Sequence, residues 1–301
     1  MSTGPDAGRE RVTVQNGKTS ILGCTLLTAI APCIWGSTYV VTTEMLPAAH
    51  PLTAAVVRVL PIGVIMIALA PALPKGHWWW RLMVLGLLNI GVFQALLFIS
   101  AYRLPGGVAA TVIAAQPLGV VMLSGPLLHV RHTALTWIAA MVGLAGVGLL
   151  VLTPSARLDT VGVLAALAGA FIMALGTVLT KRWISPLPVA AFTAWQLIFG
   201  GIFLLPLAML FEESLAALTV ENVIGYLYLG VIGTGLTYLL WFRGIRRLPA
   251  SAVSILALLS PVVATGIGYL ILDQRLSVLQ MVGALLVLTS VWAGQRQSFQ
   301  S

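Results

Sequence analysis

The chain has 301 residues, 59% of them hydrophobic and 8% charged, with a formal charge of +8 and a mean hydropathy of +1.02. Soluble domains carry about 25% charged residues, so water is excluded as the main solvent and an all-α integral membrane protein is expected. Nucleic acid is excluded as well: Lys and Arg stand in ones, twos and threes between apolar runs, and no basic face forms for a phosphate backbone to follow.

Residues 1–19 are polar and read as a disordered cytosolic tail. The first apolar run, from Ile21 to Val41, has no small-residue cleavage site behind a short core and reads as a retained span. Cys24 and Cys33 within it read as small hydrophobes and not as a disulfide. With charges, prolines and Gly/Ser turns as punctuation, ten helices are expected at roughly 21–45, 51–71, 79–101, 105–128, 133–152, 160–181, 187–210, 221–243, 249–272 and 276–294. Residues 295–301 form a second cytosolic tail, and the short connections leave no room for an extramembrane catalytic domain.

In the first span Thr28, Trp35, Thr38 and Thr42 share a face, with Ser37 and Tyr39 beside it. Aromatic belts sit at membrane interfaces, so a mid-span Trp35 points to a cavity wall; for the threonines helix packing is equally good. Arg58, in the second span, could bind a substrate carboxylate, but snorkelling or carbonyl capping is the preferred reading. The third span offers Asn89, Phe93, Gln94 and Phe98, the eighth Thr234, Thr237, Tyr238 and Trp241. Asn89, Gln94, Gln116 and Gln196 are amides inside spans, costly unless they face water or bond to a neighbouring helix. Pro117 and Pro261 stand mid-span after Gln116 and Ser260, where a proline frees a carbonyl and kinks the helix, so the pair is a candidate hinge.

Three features carry no chemistry. Gly17-Lys18-Thr19 lacks the earlier glycine and the strand of a phosphate loop. His129 and His132 have no further ligands, so neither metal nor cofactor is expected. Trp78-Trp79-Trp80 reads as an interfacial belt.

Alternating the loops places Arg9, Arg11, Lys18, Lys75, Arg81, Arg131, Lys181, Arg182, Arg243, Arg246, Arg247 and Arg296 on one side and only Arg103, Arg157 and Arg275 on the other. The positive-inside bias makes the first side cytosolic, with both termini there. The acids Glu44, Asp159, Glu212, Glu213, Glu221 and Asp273 fall on the other side, and Asp6 and Glu10 in the tail, so no carboxylate lies near the midplane.

The chain also repeats itself. Arg103-Leu104-Pro105 to Pro117 recurs as Arg247-Leu248-Pro249 to Pro261, and Gly91 and Phe98 meet Gly235 and Phe242 at the same offset of 144. Met141-Val142-Gly143 recurs at Met281-Val282-Gly283, Gly36-Ser37 faces Gly176-Thr177, and Pro51 faces Pro188 at an offset of 137. The unit therefore contains five spans, residues 20–153 and then 160–294. Five is odd, so the second unit enters the membrane inverted. Inverted repeats are an architecture of secondary transporters, with the substrate bound at the repeat interface near the midplane.

Trp35-Gly36-Ser37-Thr38-Tyr39-Val40, Arg58, Leu104-Pro105, Pro117, Trp195-Gln196-Leu197, Leu248-Pro249, Pro261 and Met281-Val282-Gly283 resemble an EamA-type member of the drug/metabolite transporter superfamily. More narrowly, the chain is similar to YddG-type bacterial exporters of aromatic amino acids. The resemblance implies a basket of ten helices exporting small metabolites across a bacterial inner membrane. Where many relatives carry Gly-Glu-Arg after the fourth and ninth spans, this chain has Val130-Arg131 and Gln274-Arg275.

The expected function is export of a small organic solute, an amino acid with aromatic ones favoured. Trp35, Phe93, Tyr238 and Trp241 would enclose an apolar side chain, while Thr38, Tyr39, Asn89, Gln94, Gln116 and Ser260 would bind ammonium and carboxylate. The missing midplane acid favours facilitated export, with proton-coupled exchange as the alternative. A membrane-embedded enzyme would need a nucleophile and base, or a metal cluster, at one depth, and the four histidines lie near span ends. A non-transporting sensor or scaffold is the third possibility. The expected partners are the small-molecule substrate and the bilayer.

Overall fold

A computed structural model describes residues 6–47, 50–104, 106–151, 159–213, 218–271 and 277–298. Among these residues every regular element is helical. Ten helices are long and apolar enough to cross a membrane: span 1 (Ile21–Met45), span 2 (Pro51–Leu69), span 3 (Trp78–Leu97), span 4 (Ala109–Leu128), span 5 (Ala134–Val151), span 6 (Thr160–Arg182), span 7 (Val189–Phe211), span 8 (Val220–Arg247), span 9 (Ala250–Ile271) and span 10 (Val278–Arg296). Pro105, Arg157, Asp273 and Arg275 lie outside the described residues.

The helix that carries span 1 starts at Asp6, so residues 6–19, expected as a disordered tail, continue it instead. Extending a helix that already exists avoids the cost of nucleating one. Spans 4 and 9 also differ from the kinked rods expected. Each is two helices, Gly106–Ile113 with Gln116–Leu128 and Ala250–Leu256 with Leu259–Ile271. The joint is a tight turn: the Ala115 amide bonds the Val112 carbonyl at 3.1 Å, and the Ala257 and Leu258 amides bond Ser254 and Ile255 at 3.1 Å. Pro117 and Pro261 then fall in the first turn of the second helix, where a proline interrupts no hydrogen bond.

Spans 3 and 8 share a second irregularity, which hydropathy does not foretell. Leu87–Gly91 and Tyr228–Leu236 are π-helical. Such segments are rare, and their wider turn re-aims side chains and frees carbonyls inside a span.

The spans pack as a two-fold assembly. Span 2 lies along span 7 and span 5 along span 10; span 1 touches spans 8 and 9 as span 6 touches spans 3 and 4; span 3 meets span 7 as span 8 meets span 2. Exchanging each span for the one five places away returns the same pairs, as two fused repeats require. Lipid gives helices no hydrophobic drive toward one another, so small residues allow the close packing that holds them. At spans 5 and 10 a Cβ added to Gly146 would sit 2.9 Å from the Gly283 carbonyl, and one added to Gly283 would sit 2.7 Å from the Gly146 carbonyl. Leu69, Met209, Leu210, Phe211 and Leu270 are exposed and form part of the lipid-facing surface.

Candidate substrate site

The π segment of span 8 faces span 1. The Trp35 indole nitrogen donates to the Gly233 carbonyl at 3.2 Å and to the Thr237 hydroxyl at 3.0 Å. That hydroxyl also donates to Gly233 at 2.8 Å. The Trp35 ring lies 5.6 Å from Tyr238 and 5.1 Å from Trp241, both pairs tilted, and Tyr238 stacks on Phe242 at 5.7 Å. Contacts of this kind add about 0.5–1.5 kcal/mol each beyond area burial. Trp241 is fully buried, yet its indole N–H has no partner among the described residues. A buried donor without an acceptor costs about 1–3 kcal/mol, which an incoming acceptor would relieve.

Polar groups ring this aromatic cluster. Arg58 donates from Nε to the Thr234 hydroxyl at 3.2 Å. Gln94 is buried beside the Tyr238 phenol, and Arg58 lies close enough to bear on the same group. Ser37 and the Tyr228 hydroxyl pair at 2.6 Å. Thr38 returns its hydroxyl to the Trp35 carbonyl at 2.6 Å and turns its methyl toward Gly233. The assembly thus presents a guanidinium, an amide, hydroxyls and an unmet indole donor around aromatic faces, at the junction of spans 1, 2, 3 and 8.

Other residues expected in the same lining lie elsewhere. Asn89 donates to Thr180 at 3.1 Å and to Gln196 at 2.8 Å, locking span 3 to spans 6 and 7. Gln116 donates to Thr177 at 3.5 Å, again on span 6. These amides were expected to bind a solute; their nitrogens instead donate to neighbouring helices, while the buried Asn89 carbonyl oxygen has no partner among the described residues. Phe93 borders Gly169 of span 6, and the Ser260 carbonyl packs on Gly36. Thr28 is buried against Gly244 and donates to the Cys24 carbonyl, so the stripe of span 1 is divided between packing and the cluster. The side chain of Tyr39 lies outside the described residues.

Sequence reasoning missed Tyr228, Gly233 as an acceptor, and Thr180. The clustered Gly230, Gly233 and Gly235 were the available signal, since close glycines mark a span whose backbone comes near another helix.

The EamA-like transporter family matches residues 22–152 and again 160–293, one copy for each set of five spans. Protein PecM of Dickeya dadantii is 46% identical over 263 residues, covering 87% of this chain and 88% of that protein. The uncharacterized inner membrane transporter YedA of Escherichia coli is 29% identical over 245 residues, covering 78% of each chain. A solved crystal structure superposes with a TM-score of 0.79, covering 92% of this chain and 98% of the other at 21% identity, and so shares the fold.

Proposed function

This chain belongs to the EamA-like transporter family, a multi-pass membrane transporter of small molecules, and from that premise we propose that it exports amino acids, with aromatic ones favoured. One observation carries the reading: Trp35, Tyr238 and Trp241 meet between spans 1 and 8, close to the Arg58 guanidinium that bonds Thr234. The rings suit an aromatic or large apolar side chain. Arg58 and the open Trp241 donor suit a carboxylate, and Gln94 suits the ammonium. Arg58 thereby takes a substrate role in addition to its bond to Thr234, the less favoured of the two readings its position in the sequence allowed. A lipophilic cation fits poorly, because every acid of the chain lies at a span end or in the N-terminal segment.

The same distribution leaves no carboxylate relay for protons, so transport runs by alternating access down the solute's own gradient. Alternating ten spans puts twelve of the basic residues on one side, which the positive-inside bias assigns, with both termini, to the cytosol of a bacterial inner membrane. Proteoliposomes loaded with labelled amino acids decide the matter. Efflux of phenylalanine, tyrosine or tryptophan faster than of glycine, and equal with or without a pH gradient, is the expected result. Absence of flux for every amino acid removes the substrate assignment, and strict dependence on the gradient replaces the uncoupled mechanism with proton exchange.

A further inference from the structure

Where span 8 ends and span 7 begins, separated from Tyr238 by the Phe192 and Phe242 rings, a cleft of about 530 Å³ is lined by Pro186, Pro188, Val189, Arg243 and Arg247 together with Arg246. Arg246 is committed to the wall: its two terminal nitrogens donate to the Leu187 carbonyl at 3.1 Å and the Ser185 carbonyl at 2.7 Å. Among the described residues no acid pairs with Arg243 or Arg247. Span 7 begins at this cleft with Pro188 as its N-cap, no side-chain cap and no acid in its first turn, and no described acceptor meets the amides of Val189 and Ala190.

The other repeat shows what such a place holds. The amides at the start of span 2 donate to the Glu212 carboxylate, Leu52 at 2.5 Å to one oxygen and Thr53 at 2.7 Å to the other. Leu52 and Thr53 correspond to Val189 and Ala190 at the offset of 137 that relates Pro51 to Pro188. The same offset carries Glu212 onto Lys75. The fold therefore builds two equivalent amide pairs, fills one with its own carboxylate, and surrounds the other with arginines.

We propose that this cleft binds a phosphate-bearing anion, held by Arg243 and Arg247 and by the first amides of span 7. Helix N-termini and guanidinium groups bind the same oxyanions for complementary reasons, one by dipole and N–H, the other by charge and paired donors. Basic pockets between spans on the cytoplasmic side take phospholipid headgroups, and a soluble phosphate offers identical chemistry.

The test uses the full chain in neutral detergent, with thermal unfolding followed against inorganic phosphate, phosphatidylglycerol, phosphatidylcholine and chloride at matched ionic strength. Phosphatidylglycerol, phosphate or both raise the midpoint by several degrees, while phosphatidylcholine and chloride do not. A response to phosphatidylglycerol alone assigns a lipid headgroup, and any response to phosphate assigns a site open to soluble anions. The double variant R243Q/R247Q loses the response. Ala190→Asp supplies from within what the anion supplies from outside, so it raises the ligand-free midpoint and abolishes the response; it decides the question should the arginine variant fail to fold. No shift with either phosphate source, or a full shift retained in Ala190→Asp, overturns the proposal.

Discussion

Spans 3 and 8 are one element built twice, and the two copies have been put to different uses. Each is interrupted by a π-helical segment, Leu87–Gly91 in the first and Tyr228–Leu236 in the second, and each turns that segment toward the opposite repeat. At the position where the first carries Asn89 the second carries Gly233, 144 residues on. Asn89 fills its gap with an amide bonded to Thr180 and Gln196. Gly233 has no side chain to fill the gap, and its carbonyl accepts from the Trp35 indole of span 1 as well as from Thr237. A two-fold backbone thus supports an asymmetric interior, in which one half is sealed by polar contacts and the other is lined by aromatic rings and a guanidinium.

The largest effect is expected on the sealed side. Asn89→Leu removes two interhelical hydrogen bonds and leaves the Gln196 carbonyl oxygen buried without that donor. An unsatisfied buried group costs about 1–3 kcal/mol, more than the average of about 0.6 kcal/mol for an interhelical bond in a membrane protein. The unfolding midpoint in detergent should fall by several degrees, while flux per folded molecule stays close to wild type. Loss of flux at unchanged stability would mean that the first copy is not a seal at all.

On the open side the expectation is reversed. Trp35→Phe keeps an aromatic ring against Tyr238 and Trp241 but removes the donor to Gly233 and Thr237. Efflux of aromatic amino acids should fall about tenfold, equivalent to about 1.4 kcal/mol, with a change in unfolding midpoint smaller than that of Asn89→Leu. Gln94→Ala, which deletes the buried amide beside the Tyr238 phenol, should lower efflux in the same direction. Unimpaired flux in both variants would remove the cluster from the transport path. Gly233→Asn sharpens the comparison further by writing the first copy's residue into the second. A Cβ at 233 meets the Thr38 methyl at 3.2 Å, so the amide should displace Trp35 and block flux.

How much of this was legible beforehand follows from what each feature depends on. Span number and the inverted duplication rest on local composition and on phrases such as Arg103-Leu104-Pro105 and Arg247-Leu248-Pro249, which sequence displays directly. Trp35 stood out because a mid-span indole has few uses in lipid. The π segments stayed hidden, since Leu87–Gly91 has the same hydropathy on either helical ladder. The fates of Asn89 and Gln116 were hidden as well, because each finds its partner on span 6, at a sequence distance of 91 and 61 residues, and only the rotation of packed helices decides whether an amide meets a threonine or a solute. Pro117 and Pro261 were visible as interruptions. That each begins a helix depends on the turn that precedes it.

The repeated arginine gives the smallest and most discriminating test. Arg103 pairs with Asp159 at 3.7 Å with both side chains about half exposed, and an exposed pair contributes about 0–1 kcal/mol. Asp159 has a second role, accepting from the Gly162 amide at 2.7 Å as the N-cap of span 6, and loss of such a cap costs about 1 kcal/mol. Arg103→Ala should therefore lower the unfolding midpoint slightly, less so as salt is added, and Asp159→Ala should lower it further with a salt-independent remainder. Arg247, the equivalent of Arg103, pairs with no acid among the described residues, so Arg247→Ala should leave the midpoint unchanged or raise it when no anion is present. An equal loss at both arginines would show that the phrase serves the helix it opens. Opposite signs would show that identical words in the two halves have been given different neighbours, as Asn89 and Gly233 have within the membrane.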